Sequence, residues 1–310
     1  MKKQILIAVI FFILAVVAII YIAFPECLYR AEIARARCAA GLDGRTVTVG
    51  DHEIAYLDGG TGPTVVLLHG YGSEKDHWAR FAKYLTLSYR VVVPDVPGFG
   101  ESSKIESSSY DMKSQAQRIE RFMDILSLEK INLVGNSMGG FIAAVVAADV
   151  PEKIASLCLM DSSGVTPPRK SEFQFAWEKG ENLLLVNSPE DFDRMMALNF
   201  VEPPFIPAPL RGYLAEKSMR SSAFNRKIEM DRRSHPLDLE SMLGRIAAPV
   251  LIIWGDNDRI LDKSAVPVFQ KGLARSSAVI MENCGHAPMF ERPGETAGHY
   301  LEFLQKIGAR

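Results

Sequence analysis

The sequence predicts an α/β protein built on a mostly parallel sheet that is flanked by helices. Short runs such as Val65–Leu68 and Val250–Ile253 are apolar on both faces, which is typical of strands in a covered parallel sheet. Helical patterns alternate with these runs over most of the chain. The chain has 310 residues, of which 48% are hydrophobic and 23% charged, and this is the composition of a globular protein.

The N-terminal segment predicts a membrane anchor. Residues 5–24 carry no charged side chain, and a helix that rises about 1.5 Å per residue spans about 30 Å over this length, one hydrocarbon core. A cleaved signal peptide is the alternative, but its apolar region runs about 7 to 15 residues and ends at a small-x-small site. We therefore expect residues 1–24 to form a single transmembrane helix.

Residues 25–40 are expected to form a juxtamembrane helix. Its Arg30 and Arg37, seven residues apart, suit a position among lipid phosphates, whereas an ordinary solvated spacer fits the pattern equally well. Lys2 and Lys3 favour a cytoplasmic N-terminus, although the arginines on the other flank oppose it. Small side chains in the anchor allow close approach of a second helix, so a homodimer stays open. They are Ala8, Ala15, Ala18 and Ala23.

Charge and cysteine content exclude several classes of protein. The 35 Lys and Arg residues against 37 Asp and Glu give a net charge of -2, which leaves no basic surplus for contacts along a nucleic acid. The four cysteines show no CxxC pairing, so neither a zinc site nor a disulfide-stapled scaffold is expected. We expect no metal and no organic cofactor.

The remainder divides into a core and an insertion. The core is expected over residues 41–161 and 247–310, and residues 162–246 read as helices and Pro-rich loops that form a helical cap, or lid. Strands are expected near residues 46–57, 64–68, 89–93, 130–134, 154–160, 249–254 and 277–281. Helices are expected near residues 75–87, 111–128, 138–148, 263–273 and 293–307.

Gly135-Asn-Ser137-Met-Gly139 joins a predicted strand to an Ala-rich helix. A strand-to-helix turn this sharp crowds the residues two before and two after its apex, so glycine is needed at both, and it pushes the serine oxygen outward. Ser137 is therefore the candidate nucleophile. A tight glycine turn with an idle serine is the alternative.

A serine nucleophile needs a base and a carboxylate that orients the base. His286 follows the last predicted strand, and Asp256 and Asp258 follow the strand before it, so the chain order is serine, acid, histidine. We prefer Asp258 as the acid because it lies deeper in the loop, whereas Asp256 is expected to cap the turn. Asp161, at the end of an earlier strand, is a further candidate for the acid.

A loop after the strand Val65–Leu68 supplies the oxyanion site. In His69-Gly-Tyr-Gly72 the histidine is expected to shape the loop rather than to catalyse. The backbone N–H groups of Tyr71 and Met138 would then hold the oxyanion of a tetrahedral intermediate, fixed before the reaction begins.

Several motifs resemble the α/β-hydrolase superfamily, over roughly residues 46–307. They are His69–Gly72, Asp95–Gly100, Gly135–Gly140, Trp254–Asp258 and Cys284–His286. Together with the anchor and Leu159–Gly164, the chain resembles membrane-anchored monoacylglycerol lipases and bacterial inner-membrane phospholipases A.

This resemblance implies a serine carboxylic-ester hydrolase that acts through an acyl-enzyme. It implies release of fatty acids from glycerophospholipids, as a phospholipase A of the A1 type, and from lysophospholipids and related esters. Membrane lipids would be both substrate and anchor, and the catalytic domain would face the periplasm from the inner membrane. The matching positions are Ser137 as nucleophile, Asp258 as acid and His286 as base.

Other readings stay open at this point. Monoacylglycerol lipase activity is one. The turn around Ser137 also resembles the corresponding turn of carbon–carbon bond hydrolases, which are soluble enzymes. Dehalogenases and epoxide hydrolases need an aspartate where this chain has Ser137. A non-catalytic lipid-binding protein on the same fold would show a broken triad, whereas all three residues are present.

Apolar residues in the insertion predict an acyl-chain channel. Trp177, Phe205 and Ile206 are the candidate substrate-binding residues, with Pro203–Pro207 as a mobile rim. The alternative is that these side chains form the core of the cap itself. A channel over the carboxyl edge of the sheet would open toward the bilayer.

Overall fold

The computed structural model describes residues 2–309, and for residues 3, 8, 13–20 and 22 it describes the backbone only. The helices are α1 Lys2–Ala23, α2 Pro25–Ala39, α3 Ala79–Ala82, α4 Met112–Ile125, α5 Met138–Asp149, α6 Glu172–Glu178, α7 Pro189–Asn199, α8 Ala208–Ser234, α9 Ala265–Gly272, α10 Pro288–Glu291 and α11 Pro293–Lys306. The strands are β1 Leu42–Val49, β2 His52–Gly59, β3 Thr64–Leu68, β4 Arg90–Pro94, β5 Ile131–Asn136, β6 Ile154–Met160, β7 Val250–Gly255 and β8 Ser276–Met281.

Within the described residues, one eight-stranded sheet has the order β1-β2-β4-β3-β5-β6-β7-β8. The pairs β1–β2 and β2–β4 are antiparallel, and every pair from β4–β3 onward is parallel. This confirms the predicted α/β class. The carboxyl ends of β3, β5, β6 and β7 consequently meet at one edge, where sites of this architecture form.

Two local predictions are wrong. The strand expected over residues 46–57 is a hairpin of β1 and β2, whose turn lies at Gly50 and Asp51, with Gly50 at a φ of +62° that favours glycine. The helix expected over residues 75–87 is a short 3-10 turn, Lys75–Trp78, followed by the single turn of α3.

Apolar layers cover both faces of the sheet. One layer joins α4 and α5 to the sheet through side chains such as Phe122 and Ile142, and α5 is buried from Met138 to Ala148. The other layer places Trp78 and Tyr300 against the opposite face. A helix that is apolar all round, as α5 is, needs such burial on every side, and this fixes α5 behind β5.

Helices α6, α7 and α8 lie in the chain between β6 and β7. They carry a small apolar cluster of their own, which contains Val186, Phe192 and Ala215. Serine side chains cap two of them, since Ser171 accepts from the backbone N–H of Gln174 and Ser188 accepts from that of Asp191.

Helix α2 is held to the rest of the protein by polar contacts. The Arg37 guanidinium donates to both carboxylate oxygens of Asp76, at 2.6 and 2.7 Å. The Tyr29 hydroxyl donates to Glu74, and the Lys217 ammonium on α8 donates to the same carboxylate at 2.7 Å. These contacts join α2 to the loop after β3 and to α8.

No helix in the described part of the chain reaches the length and hydropathy of a membrane span. The predicted anchor over residues 1–24 falls partly on Met1 and on the side chains of residues 3, 8, 13–20 and 22, which lie outside the described residues. The small residues at which two anchors could pair also fall there, except for Ala23.

Candidate active site

Ser137 stands at a strained turn between β5 and α5. Its φ is +55°, a left-handed value that an L-residue adopts only when its surroundings impose it. A Cβ atom on Gly135 would lie 2.2 Å from the Gly139 carbonyl oxygen, and one on Gly139 would lie 2.3 Å from that of Leu68. Both glycines are therefore required by close backbone approach, as the spacing of the motif predicts.

The structure pairs His286 with Asp258. The His286 Nδ1 lies 2.7 Å from the Asp258 Oδ2, and both side chains are almost fully buried. The Asp258 Oδ1 accepts from the backbone N–H groups of Ile260 and Leu261, at 2.7 and 2.9 Å. Three donors thus hold this carboxylate in one orientation.

Asp256 makes different contacts. Its Oδ1 accepts from the Asn257 side chain at 2.6 Å, and its backbone N–H donates to the Met281 carbonyl oxygen. Its side chain is half-buried at the loop surface. This geometry favours Asp258 over Asp256 as the partner of His286.

Asp161 lies beside this pair. Its side chain is fully buried, and its Oδ1 accepts from the Gly255 backbone N–H at 2.9 Å. One possible ligand atom from each of Asp161, Asp258 and His286 lies within 4.8 Å of the others, which is close enough to hold a metal ion. The His286 nitrogen and the Asp258 oxygen are already paired, however, so an ion here would break the bond that orients the imidazole.

His69 shapes the loop after β3. Its Nε2 accepts from the Val96 backbone N–H at 2.9 Å, so the proton is on Nδ1, which donates to the Gly70 carbonyl oxygen at 2.8 Å. Burial lowers the pKa of His69, and the nearby Asp95 only partly opposes this. A neutral histidine with both nitrogens used is a structural residue, in line with its expected role.

The same loop passes close to the nucleophile. A Cβ atom on Gly70 would lie 3.1 Å from the Ser137 Cβ. The Tyr71 hydroxyl donates to the Asn225 carbonyl oxygen on α8 at 2.7 Å, which fixes the loop. Met138 is the first residue of α5, where backbone N–H groups have no partner within the helix. The amides of Tyr71 and Met138 therefore remain our proposed oxyanion donors.

Ser137 and His286 line one cavity of about 270 Å³. Its apolar wall comes mainly from the cap and from α10: Leu184, Val186, Phe192, Met195, Met196, Phe200, Ile206, Leu214, Met289 and Phe290. Its polar wall comes from α2, the loops after β3 and β4, and α8: Tyr29, Ser73, Glu74, Lys104, Lys217, Ser218 and Ser221. The cavity is thus amphiphilic, with the serine and histidine on its surface.

Comparisons with known proteins place this arrangement in a family. A family model described as alpha/beta hydrolase fold matches residues 63–203. Lipase 1 from Psychrobacter immobilis is 32% identical, over 86% of this chain and 84% of its own. The chain belongs to the α/β-hydrolase family.

Two further similarities concern membrane and lipid enzymes. Monoacylglycerol lipase ABHD6 from Homo sapiens is 30% identical over 93% of this chain and 89% of its own. The crystal structure of a membrane phospholipase A, described as a bacterial virulence factor, is 46% identical with a TM-score of 0.91, and the match covers all of both chains.

Two cap residues of this α/β-hydrolase are not where we expected them. Ile206 lies on the cavity wall, but Phe205 and Trp177 do not. The side chain of Phe205 is 93% exposed, and Trp177 packs against Phe173 and under the Arg233 guanidinium instead. Hydrophobicity alone predicted contact with substrate, but it does not tell which way a loop side chain points.

The polar wall was not predicted. Burial alone would raise the pKa of Glu74, but Lys217, His77 and the Tyr29 hydroxyl together outweigh it, so that the pKa falls to about 2. Folding thus stabilises the charged carboxylate, a contribution that is lost as the pH falls from about 4.5 towards 2. No local pattern in the sequence indicated this wall, because Tyr29, Glu74 and Lys217 lie far apart along the chain.

We predict that Asp258→Asn lowers kcat about 10⁴-fold, because the amide favours the wrong imidazole tautomer and does not stabilise the imidazolium. Asp256→Asn is the matched control, since its carboxylate accepts from Asn257 and, at 3.5 Å, from the Cys284 backbone N–H rather than from the His286 imidazole. Steady-state turnover of a short acyl ester measures both. An Asp258→Asn enzyme that turns over near the wild-type rate contradicts the assignment.

Proposed function

We propose that this α/β-hydrolase is a membrane-anchored serine carboxylic-ester hydrolase that releases fatty acids from glycerophospholipids. Its class would be phospholipase A of the A1 type, with lysophospholipids and other acyl esters as further substrates. The observation that carries this proposal is the amphiphilic cavity, whose lining includes Ser137 and His286 together with apolar and charged side chains.

The proposed reaction follows from the positions of these groups. His286 takes the proton of the Ser137 hydroxyl as its oxygen attacks the acyl carbonyl carbon, and Asp258 stabilises the resulting imidazolium. The amides of Tyr71 and Met138 bind the oxyanion. His286 then protonates the leaving glycerol oxygen, and a water molecule activated by the same histidine hydrolyses the acyl-enzyme.

A phospholipid suits both walls of the cavity. The apolar wall offers Met195, Met196 and Phe192 to an acyl chain, and thioether side chains adapt to chains of different shape. The polar wall offers hydroxyl groups of Ser218 and Ser221, together with two lysines, to a glycerol and its phosphate. A substrate with one apolar and one charged part would bury each against matching surface.

Monoacylglycerol hydrolysis is the second candidate function. It is supported by the similarity to monoacylglycerol lipase ABHD6, whose substrate class lacks a phosphate. The higher identity to the membrane phospholipase A, over the whole chain, favours the phospholipid. Carbon–carbon bond hydrolysis is disfavoured by the apolar N-terminal helix, and lipid binding without catalysis by the intact pairing of His286 with Asp258.

The anchor is part of the proposal. Helix α1 has 22 residues, and its described apolar side chains between Ile5 and Phe12 are 47 to 70% exposed. An exposed apolar surface of this kind is expected to contact lipid. We propose a single pass through the inner membrane with the N-terminus in the cytoplasm and the catalytic part in the periplasm, since Lys2 and Lys3 precede the apolar run.

The substrate proposal predicts that the purified enzyme releases one chain from a phospholipid with palmitate at the first and oleate at the second glycerol position. Mass spectrometry of the products identifies that chain, with Ser137→Ala as the control. Release of palmitate by the wild type alone supports an A1 enzyme, and release of oleate supports A2. If neither is released while short esters are cleaved, the substrate is not a phospholipid and monoacylglycerols become the next choice.

The apolar wall predicts chain-length preference. Met196→Trp fills part of the cavity, so we expect the ratio of kcat/KM for long against short acyl esters to fall at least about tenfold. Phe205→Ala is the control, because its side chain is exposed and lies off the wall. Equal ratios in wild type and Met196→Trp would show that the acyl chain binds elsewhere.

The proposed topology predicts that alkaline phosphatase fused after residue 310 is active in intact cells, because this reporter folds only in the periplasm. A green fluorescent protein fused at the same position would be exported by the same route and should stay dark. In a chain that lacks residues 2–24 and carries no replacement export signal, the phosphatase fusion should be inactive and the fluorescent fusion bright. Bright fluorescence and inactive phosphatase in the full-length fusions would place the catalytic part in the cytoplasm.

A further inference from the structure

Two buried carboxyl groups face each other behind His286. The Asp161 side chain has no exposed surface and that of Asp258 very little, and one carboxylate oxygen of each lies within 4.8 Å of the other. The Asp161 Oδ2 is buried and has no hydrogen-bond partner among the described residues. Two carboxylate oxygens are both acceptors, and a hydrogen bond between them requires a proton on one.

The donors around each group decide where that proton sits. Asp258 is surrounded by three, namely the amides of Ile260 and Leu261 and the imidazole of His286. Asp161 receives only the Gly255 amide, on its Oδ1. Like charges this close cannot both persist in a buried site, and the group with fewer donors takes the proton.

We propose that Asp161 is a neutral carboxylic acid that donates its hydroxyl to the Asp258 carboxylate and so acts as a positioning residue for His286. The pair carries one negative charge in the free enzyme. This inference rests on the proposed roles of Asp258 and His286, but not on the identity of the substrate.

The surroundings agree with this protonation state. Burial, and then the charge of Asp258, raises the pKa of Asp161 well above its usual range, and the Gly255 amide only partly opposes them. From α10, Glu291 adds further negative potential. From the loop after β8, burial raises the pKa of the Cys284 thiol, which keeps it neutral. His286 also faces the pair, and it contacts Asp258.

The backbone of Asp161 is held in place as well. Asp161 adopts a φ of +43°, a left-handed value that aspartate adopts more often than most residues besides glycine. Its N–H donates to the Ile253 carbonyl oxygen at 2.9 Å, so its position beside β7 is fixed by a backbone contact.

A donated hydrogen bond from Asp161 draws charge away from Asp258. The Asp258 carboxylate then attracts the imidazolium form of His286 less than a bare carboxylate would. Removing the donor should favour the imidazolium. The acid limb of the pH profile of kcat/KM reports this change, because only the neutral imidazole accepts the proton of Ser137.

The test compares two variants with the wild type on a short p-nitrophenyl ester. Asp161→Asn retains an N–H donor toward Asp258 and an oxygen for the Gly255 amide, so the acid limb should keep its position. Asp161→Ala removes the donor, so the limb should move up by roughly half to one pH unit. A limb that moves down in Asp161→Asn would show that the wild-type residue is charged. A limb unmoved in Asp161→Ala would reduce Asp161 to a structural role.

A second measurement works even where a variant is inactive. The infrared difference spectrum of wild type minus Asp161→Asn at pH 7 should contain the C=O stretch of a protonated carboxylic acid, shifted in D₂O. Carboxylate bands in its place would overturn the proposal. Because this readout needs no substrate, a failure to hydrolyse esters would count against the proposed function alone.

Discussion

The tight turn at Ser137 is the constraint on which the other parts of the site depend. Its left-handed backbone is imposed by β5 on one side and by the fully buried α5 on the other. That turn is sterically allowed only because Gly135 and Gly139 bring three backbone segments into contact. The loop after β3 passes over the same point, so the nucleophile and the proposed oxyanion donors are fixed by one set of backbone contacts.

Much of this arrangement was predictable because it is local in sequence. Strands that are apolar on both faces indicate a covered sheet, and a Gly-x-Ser-x-Gly motif between strand and helix indicates the turn. The hairpin of β1 and β2 was missed because its turn has only two residues, Gly50 and Asp51. The buried positions shift there from odd-numbered Val49 to even-numbered His52 and Ile54, a change of one residue that is easily overlooked in a short segment.

The cavity walls were harder to predict because they depend on contacts distant in sequence. Tyr29, Glu74 and Lys217 form one cluster, although 45 residues separate the first pair and 143 the second. Nothing in the local pattern of α2 indicates that it supplies part of the site. The prediction for Phe205 shows the converse error, because this residue was expected to contact substrate but is exposed. An apolar residue in a proline-rich loop has no local signal that distinguishes a buried from an exposed position.

The cluster around Glu74 also connects the N-terminal helices with the site. Its carboxylate is charged because Lys217 of α8 offsets the cost of burial, and Tyr29 of α2 donates to the same group. A shift of α2 would therefore remove a donor from a buried charge, which is costly. The position of the segment that follows α1 and the shape of the polar wall are thus set by the same hydrogen bonds. Under the proposed function, in which α1 lies in the membrane, these bonds would fix the cavity wall relative to that membrane through α2.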